Sequence, residues 1–310
     1  MACFDAKESI GRAIRSALEQ HWSPLEVVVV DDASGDRSAE RVRAIAAQDP
    51  RVRLVVHPHN RGVGAARNTI LEHARGEFIA FFDDDDVSSP DRLRRQWERI
   101  HDYERATGAE LVLCHTARSI RLPGPHARAT LEPALGADIT PAPSGEAVIE
   151  LILLGRPVAA AGSAATCSQM ARRRVYEAVG GFDGCLRRSE DTDLNMRAAA
   201  AGAHFPGVGE ALVRQNITPT HDKASTAEHD NFLRLLDKHR CLLEERKAYR
   251  FTCRWVAMKF ALRQRRLAAA CGHALVLSGT RPIATLRRIA WSLPNWGRQR
   301  AVLRALGAAE

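Results

Sequence analysis

The chain has 310 residues, of which 45% are apolar and 26% are charged, and its formal net charge is +8. This composition excludes a globally disordered chain, and the length leaves room for one large α/β domain with an appendage or for two small domains. Seven scattered cysteines without a C-x-x-C pair argue against structural zinc and for a reducing compartment. We expect no signal peptide and no membrane-spanning stretch, because no apolar run has the required length or flanks.

Strands and helices are predicted to alternate along the first part of the chain. Residues 25–30 form a β-branched run without alternation, as in a strand buried on both faces. Such alternation predicts a doubly wound, mostly parallel α/β sheet. The predicted helices are 6–21, 37–48, 64–74 and 90–106, and the predicted strands are 25–30, 52–56, 77–82 and 111–115.

The second part of the chain has a different pattern. Residues 116–144 are rich in Pro, Gly and Ala without a clear period, which indicates a long functional loop or a cover. From about residue 224 the chain is predicted to be helical to near its end. Between these stretches we expect helices at 146–154 and 190–201 and a strand at 164–171.

Aspartates follow two of the predicted strands. Asp83, Asp84, Asp85 and Asp86 come directly after an apolar run, and a second pair, Asp31-Asp32, ends the run 25–30. Ligands of open α/β sheets bind beyond the carboxyl ends of the strands, and hard divalent cations prefer carboxylate oxygens. An isolated acidic run is equally well explained as a solvated turn. Two such groups at one edge favour a shared polar ligand with a metal.

Several motifs, in this order, resemble those of glycosyltransferase family 2, the inverting nucleotide-sugar glycosyltransferases with the GT-A fold. The resemblance covers roughly residues 3–222 and implies a GT-A-like domain at 1–222, followed by a basic helical region at 223–310. The motifs are Cys3-Phe4-Asp5-Ala6, Val29-Val30-Asp31-Asp32-Ala33-Ser34-Gly35-Asp36, Asn60-Arg61-Gly62 with Ala66-Arg67-Asn68, Phe82-Asp83-Asp84-Asp85-Asp86 with Pro90, Gly180-Gly181-Phe182-Asp183, and Glu190-Asp191-Thr192-Asp193-Leu194.

The resemblance implies four nucleotide-binding residues. Asp32 would accept a hydrogen bond from the base, and Phe4 would lie against that base. Asp84 would approach the ribose, and Arg67 would lie near the nucleotide.

The resemblance also implies a metal site and a general base. Asp83 and Asp85 match the family's D-x-D motif and would hold manganese or magnesium on the diphosphate, with His221 as a further metal ligand. Asp191 matches the general base. A metal that stabilises the leaving diphosphate and a base on the opposite side of the sugar carbon imply inversion. Without the other motifs, Ser189-Glu190-Asp191 is an ordinary helix start with acidic residues in its first turn.

One departure from the family concerns the first strand. Relatives begin with a buried strand of about six apolar residues, whereas this chain has Met1-Ala2-Cys3 there. Losing that strand would leave unpaired backbone groups and a central gap. We therefore expect the first strand to be missing, and the functional polypeptide either to start upstream of Met1 or to be unstable as given.

The C-terminal region is strongly basic. From Glu228 onward, 17 Lys and Arg face 6 Asp and Glu, so the rest of the chain carries a net negative charge. The positive charge of this region predicts a peripheral position on the cytoplasmic, inner face of an anionic membrane and no nucleic acid partner, with solvated helix faces as the alternative. The family resemblance implies a saccharide or lipid-linked acceptor. The alternatives are a nucleotidyltransferase, or a catalytically impaired transferase-like protein that binds a membrane through its tail.

Overall fold

The computed structural model describes residues 1–121, 129–216, 226–290 and 292. The chain divides into two compact units, one of Met1–Glu146 with Val158–Thr218, the other of Ala147–Pro157 with Pro219–Glu310. The strands are β1 (Ala2–Cys3), β2 (Val27–Asp31), β3 (Val52–Val56), β4 (Phe78–Ala80), β5 (Val87–Ser88), β6 (Leu113–Arg121), β7 (Ala129–Glu132), β8 (Gln169–Arg172) and β9 (Gly207–Asn216). The α-helices are α1 (Ile10–Leu18), α2 (Ser38–Ala46), α3 (Val63–His73), α4 (Arg92–Thr107), α5 (Gly145–Leu154), α6 (Arg173–Ala178), α7 (Glu190–Ala200), α8 (Thr226–Lys238), α9 (Arg240–Glu245), α10 (Tyr249–Arg263) and α11 (Leu267–Thr280), and 282–290 is also helical.

The strands of the first unit form two sheets. The first sheet is parallel and has the order β1-β2-β3, as the β-branched run of β2 predicts. The second has the order β4-β8-β6-β9-β5, with β7 added beside β6, and in it only β6 and β9 pair in parallel among the described strands. The predicted α/β class is therefore observed, but the prediction of a mostly parallel sheet is wrong for the second sheet.

The segment 116–144 is not a structureless cover. β6 continues to Arg121, and β7 pairs with it antiparallel from Arg118–Glu132 to Arg121–Ala129. The strand is hard to recognise in the sequence because its buried face carries polar side chains. The buried side chain of Arg118, for example, bonds to Glu132, Ser163 and Gln215. Because such buried positions are polar, the sequence lacks the apolar alternation that is typical of a strand.

The strand that we expected to be missing is present as the two residues of β1. Ala2 pairs with Val30 of β2 and forms a parallel bridge to Asp83 on its other side. A cavity of about 390 Å³ lies in the same unit, and Met1, Val28 and Ile79 are among its mostly apolar lining residues. β1 thus joins the two sheets only at the edge that carries the aspartates, and the space between β2 and β4 stays open.

The cores of the two units are built differently. Helix α1 buries Ile10 and Ile14 against β2 and β3, and Ile100 and Tyr103 of α4 are buried in the cluster of the second sheet. In the second unit, by contrast, the core consists of helices. No helix among the described residues has the length and apolarity needed to cross a bilayer.

Candidate active site

The aspartate groups after β2 and β4 lie at one edge of the first unit. Cys3 is in register with Asp31, and Ala2 bridges to Asp83. The short strand β1 therefore separates the two groups by a single strand width, which is about 5 Å on either side. The prediction that both groups share an edge is confirmed.

Asp32 is buried and holds a turn. Its carboxylate accepts hydrogen bonds from the amides of Arg61 (2.9 Å) and Gly62 (2.7 Å) and lies 2.6 Å from Nδ1 of His57. Nε2 of His57 lies 3.0 Å from Oγ1 of Thr69 in α3. Gly62 has a φ of 89°, which side-chain-bearing residues rarely adopt. Asp32 and His57 thus fix the turn that precedes α3.

Asp84 is bonded to the segment that carries Phe4. Its Oδ2 accepts a hydrogen bond from the Phe4 amide at 3.0 Å. Burial raises the pKa of Asp84 to about 7; the Phe4 amide acts against this shift, and the charges of Asp85 and Asp83 add to it. The Phe4 ring is 49% exposed beside this contact, so an aromatic face is accessible at the sheet edge.

Asp83, Asp86 and Cys167 form a group with metal-ligating atoms. One ligand atom of each lies within 4.8 Å of those of the other two. Oδ1 of Asp86 accepts a hydrogen bond from the Asn216 amide at 3.0 Å, while its Oδ2 is buried without a hydrogen-bond partner. Burial, together with the charges of Asp83 and Asp85, raises the pKa of Asp86. Crowded carboxylates of this kind fit a divalent cation, which compensates their charge.

Arg67 connects the aspartates to the start of α7. Its guanidinium donates to Glu190 at 2.5 Å and to Asp83 at 3.4 Å, and its side chain is almost fully buried. Burial acts against the charge, but the carboxylates of Glu190, Asp83 and Asp191 raise the pKa of Arg67 above its usual value. Arg67 is therefore a fixed cation between the acidic run after β4 and the residue that precedes Asp191.

The motifs before α3 and before α7 are tied together. Asn68 forms two hydrogen bonds with the backbone of Phe182, at 2.7 and 2.8 Å, and Arg187 donates to Asn60 at 2.6 Å. A Cβ on Gly64 would meet the carbonyl oxygen of Asp183 at 2.9 Å. Through these contacts, motifs that are far apart in sequence lie together at one edge of the first unit.

Asp191 lies in the first turn of α7. Its Oδ1 accepts a hydrogen bond from the Thr192 amide at 2.6 Å and lies 3.2 Å from Thr192 Oγ1. Asp193, by contrast, is fully buried and paired with Arg197 at 2.7 Å, and Arg197 also donates to Gly181 at 2.7 Å. The two acids thus differ: Asp193 secures the helix, and Asp191 is partly exposed on it.

The structure brings Arg67, Asp83 and the start of α7 together and joins Asp84 to the Phe4 segment. His221 lies outside the described residues. Sequence reasoning missed Glu190 as the partner of Arg67, and it missed Cys167, for which no motif gave a signal. Asp86 was visible in the acidic run, although the D-x-D pattern pointed to Asp83 and Asp85.

Comparison with known proteins agrees with these motifs. The family model described as "Glycosyl transferase family 2" matches residues 1–115. The chain is 47% identical over 113 residues to the succinoglycan biosynthesis protein ExoO of Rhizobium meliloti (strain 1021), covering 36% of this chain and 31% of that protein. It is 35% identical over 96 residues to an Escherichia coli UDP-Glc:alpha-D-GlcNAc-diphosphoundecaprenol beta-1,3-glucosyltransferase, WfgD, covering 31% and 37%. The matches therefore span about a third of each relative's length, and the resemblance to the family is confirmed.

The fold is similar to that of a solved glycosyltransferase. The mannosyltransferase PcManGT from Pyrobaculum calidifontis, solved with GDP-Man and Mn²⁺, aligns with a TM-score of 0.58 at 17% identity, over 99% of this chain and 84% of that one. The predicted GT-A type of α/β fold is confirmed.

Proposed function

We propose that this chain, whose residues 1–115 match glycosyltransferase family 2 and whose fold is of the GT-A type, transfers a sugar from a nucleotide donor to a hydroxyl acceptor. The observation that carries the proposal is the ion-pair bridge of Arg67. Arg67 bonds to Glu190, the neighbour of Asp191 and 123 residues away in the sequence, and it also bonds to Asp83 of the acidic run. A donor-binding edge and a candidate base are thereby held in one rigid arrangement.

The donor's nucleotide lies along the edge of β1 and β2 in this proposal. Phe4 offers its exposed face for stacking on the base. Asp84 reaches the ribose hydroxyls from its bond to the Phe4 amide. Asp32 would accept a hydrogen bond from the base, and its bonds to the turn at 60–62 set the shape of the base pocket.

The residues of the acidic run fit a divalent cation. Asp86 offers a buried oxygen without a partner, Asp83 lies close to it, and like charges raise the pKa of Asp86. Oxygen ligands suit manganese or magnesium, whereas the Cys167 thiol is a softer ligand and is secondary here. Asp83 and Asp85, with Asp86, would hold the ion, and its charge would stabilise the departing diphosphate.

Asp191 is the general base in this scheme. An acceptor hydroxyl at the start of α7 loses its proton to the Asp191 carboxylate while its oxygen attacks the anomeric carbon. The bond to the diphosphate breaks on the opposite face, so the configuration is inverted. Arg67 pairs with Glu190, and this contact fixes the first turn of α7 and the orientation of its neighbour Asp191.

We further propose a lipid-linked saccharide as acceptor and a peripheral position on the inner face of the membrane. WfgD is named for a diphosphoundecaprenol-linked acceptor, and the C-terminal region of this chain is strongly basic. A transferase held at an anionic leaflet would meet such an acceptor directly. No observation favours the nucleotidyltransferase alternative, because no Gly/Lys/Arg-rich loop follows the first strand.

The experiment is a donor panel with and without metal. UDP- and GDP-sugars are titrated into the protein by calorimetry, with Mn²⁺ or with EDTA, and the donor that binds is incubated with saccharide acceptors. We expect metal-dependent binding of one nucleotide class and a product whose anomeric configuration, read by NMR, is inverted. Retention of configuration, or release of nucleoside monophosphate, would contradict the proposal.

A further inference from the structure

Helix α10 forms the centre of the second unit. Phe251, Trp255 and Met258 of α10 are buried together with Leu277 of α11. The helical segment 282–290 packs on the same helix, because the guanidinium of Arg288 lies over the Trp255 ring at 5.3 Å. Both α11 and 282–290 therefore use their inner faces to cover α10, and their outer faces point away from it.

The outer faces of these two helices are aliphatic. Leu275 is 74% exposed, and Ile283 and Leu286 are 65% and 66% exposed. In 282–290 the exposed positions recur with helical spacing, whereas Ala284, Thr285 and Arg288 are turned inward. We call the following five residues the aliphatic face: Leu275, Val276, Ile283, Leu286 and Ile289.

Large exposed aliphatic side chains are costly in water. Full burial of one such side chain is worth about 1.5–3 kcal/mol. Exposed aliphatic side chains grouped along successive helices in this way indicate a contact with a partner or a membrane. The neighbouring charges indicate which kind of partner can bind there.

The sequence that flanks the aliphatic face carries charges of one sign. Residues 246–309 contain 14 Lys and Arg and no Asp or Glu. Helix α11 itself carries none of the four charged residue types. Arg265 and Arg266 precede it, and Arg281 and Arg287 border the outer face of 282–290. A partner therefore has to be apolar at its centre and anionic at its surface.

A bilayer with anionic headgroups meets both conditions. A second copy of this chain would oppose the same uncompensated cations, at a cost in repulsion. Nucleic acid would satisfy the cations but would leave the aliphatic side chains in water. Helices with an apolar face and basic flanks lie in the plane of the membrane interface, with the apolar face below the headgroups.

We propose that the aliphatic face inserts into the interface of an anionic bilayer, with Arg265, Arg266, Arg281 and Arg287 at the headgroup phosphates. This inference rests on the membrane position proposed above and specifies its contact surface. It is independent of sugar transfer, because none of these residues belongs to the candidate active site.

The test is co-sedimentation of the full chain with vesicles. The vesicles are phosphatidylcholine alone, or the same lipid with ~30% phosphatidylglycerol, at low and high salt. The variants are Leu286→Gln and the double variant Ile283→Gln/Leu286→Gln. The matched control is Leu131→Gln, which removes a similarly exposed leucine (61%) in the first unit. Thermal melting checks that each variant is folded.

We expect the parent and Leu131→Gln to bind anionic vesicles alike. Each substitution in the aliphatic face should weaken partitioning about tenfold, and the residual binding at high salt should be lost in the double variant. Double-variant binding equal to the parent's would overturn insertion and leave electrostatic adsorption. The parent could instead fail to bind vesicles and form dimers in ultracentrifugation that Leu286→Gln dissociates. That result would overturn membrane insertion and indicate self-association.

A second measurement separates this inference from the proposed function. Metal-dependent donor binding is measured by calorimetry on the parent and on the double variant. Loss of vesicle binding with intact donor binding supports both proposals. If the protein binds no nucleotide-sugar but its vesicle binding still depends on Leu286, the transferase proposal is refuted and the membrane proposal stands.

Discussion

The two compact units of the chain differ in how their positive charges are compensated. In the first unit, the buried arginines Arg67 and Arg118 are paired with the carboxylates of Glu190 and Glu132. The fully buried Arg92 has no carboxylate partner in the part of the chain that the structure describes, but its guanidinium donates to Gln96, Ser88 and the Phe81 carbonyl. In the second unit, Arg288 is buried over Phe251 and Trp255, and its Nη1 has no hydrogen-bond partner. From residue 246 to residue 309 the sequence offers no acid at all.

This difference separates two kinds of functional surface. A site that performs chemistry needs particular groups at fixed distances, and buried ion pairs hold such groups in place while contributing little net stability. A surface that adsorbs to a membrane needs only the right distribution of charge and apolar area. Short motifs therefore characterise the first unit, whereas the membrane role proposed for the second unit rests on composition and exposure.

The largest effect is expected for Asp191→Asn. The amide keeps the shape of the carboxylate but cannot accept the acceptor's proton, so turnover should fall by about 10²–10⁴-fold. Donor binding, measured by calorimetry, should change little, and so should vesicle binding by the second unit. Glu210→Gln, which neutralises an exposed acid paired with Arg95, is the control. Near-normal turnover in Asp191→Asn would remove Asp191 from the base role.

Arg67→Met should destabilise the first unit strongly. Removal of one partner from a buried ion pair leaves an uncompensated charge and costs about 3–5 kcal/mol. Hydrogen exchange should accelerate in α3 and α7, where Arg67 and Glu190 reside, and remain unchanged in α10 and α11.

The double variant Arg67→Met/Glu190→Leu tests the cause of that loss. With both charges gone, much of the lost protection should return, because no unpaired ion is left buried. If the double variant is no better protected than Arg67→Met, the ion pair is not what holds these helices.

Much of this arrangement could be predicted from the sequence, and the reasons for the exceptions are physical. β3 was predicted with its observed bounds, and the predicted helices overlap α1, α3 and α7, because their apolar periodicity reflects burial. β7 and the polar part of β6 were missed, since buried polar networks erase that periodicity. The Arg67–Glu190 pair could not be predicted, because a contact across 123 residues depends on the tertiary fold.

Metal binding distinguishes the sequence motif from the cluster in the structure. The D-x-D pattern assigns Asp83 and Asp85, whereas the structure groups Asp83, Asp86 and Cys167. Even residues that merely support metal ligands contribute about 10–100-fold to affinity, so the loss of a ligand should cost at least as much. The affinity for Mn²⁺, measured from the loss of the free-ion EPR signal on binding, should fall by at least about 10–100-fold in Asp85→Ala.

The companion variants are Asp86→Asn and Cys167→Ser. A loss in Asp86→Asn as large as in Asp85→Ala would make Asp86 a full ligand. Unchanged affinity in Cys167→Ser is expected, because a hard cation gains little from the thiol. A large loss in Cys167→Ser would instead indicate a softer metal than manganese or magnesium.

The smallest effect is expected for Arg288→Met, the counterpart of Arg67→Met in the second unit. Burial lowers the pKa of Arg288 to about 10, since no carboxylate among the described residues pairs with it. A methionine keeps an unbranched apolar stem and packs well on aromatic rings. Because the variant removes a buried charge rather than one partner of a pair, protection of α10 should stay within about 1 kcal/mol of the parent or increase. A loss of 3 kcal/mol or more, similar to that expected for Arg67→Met (about 3–5 kcal/mol), would mean that Arg288 is compensated after all. The contrast in charge compensation between the two units would then fail.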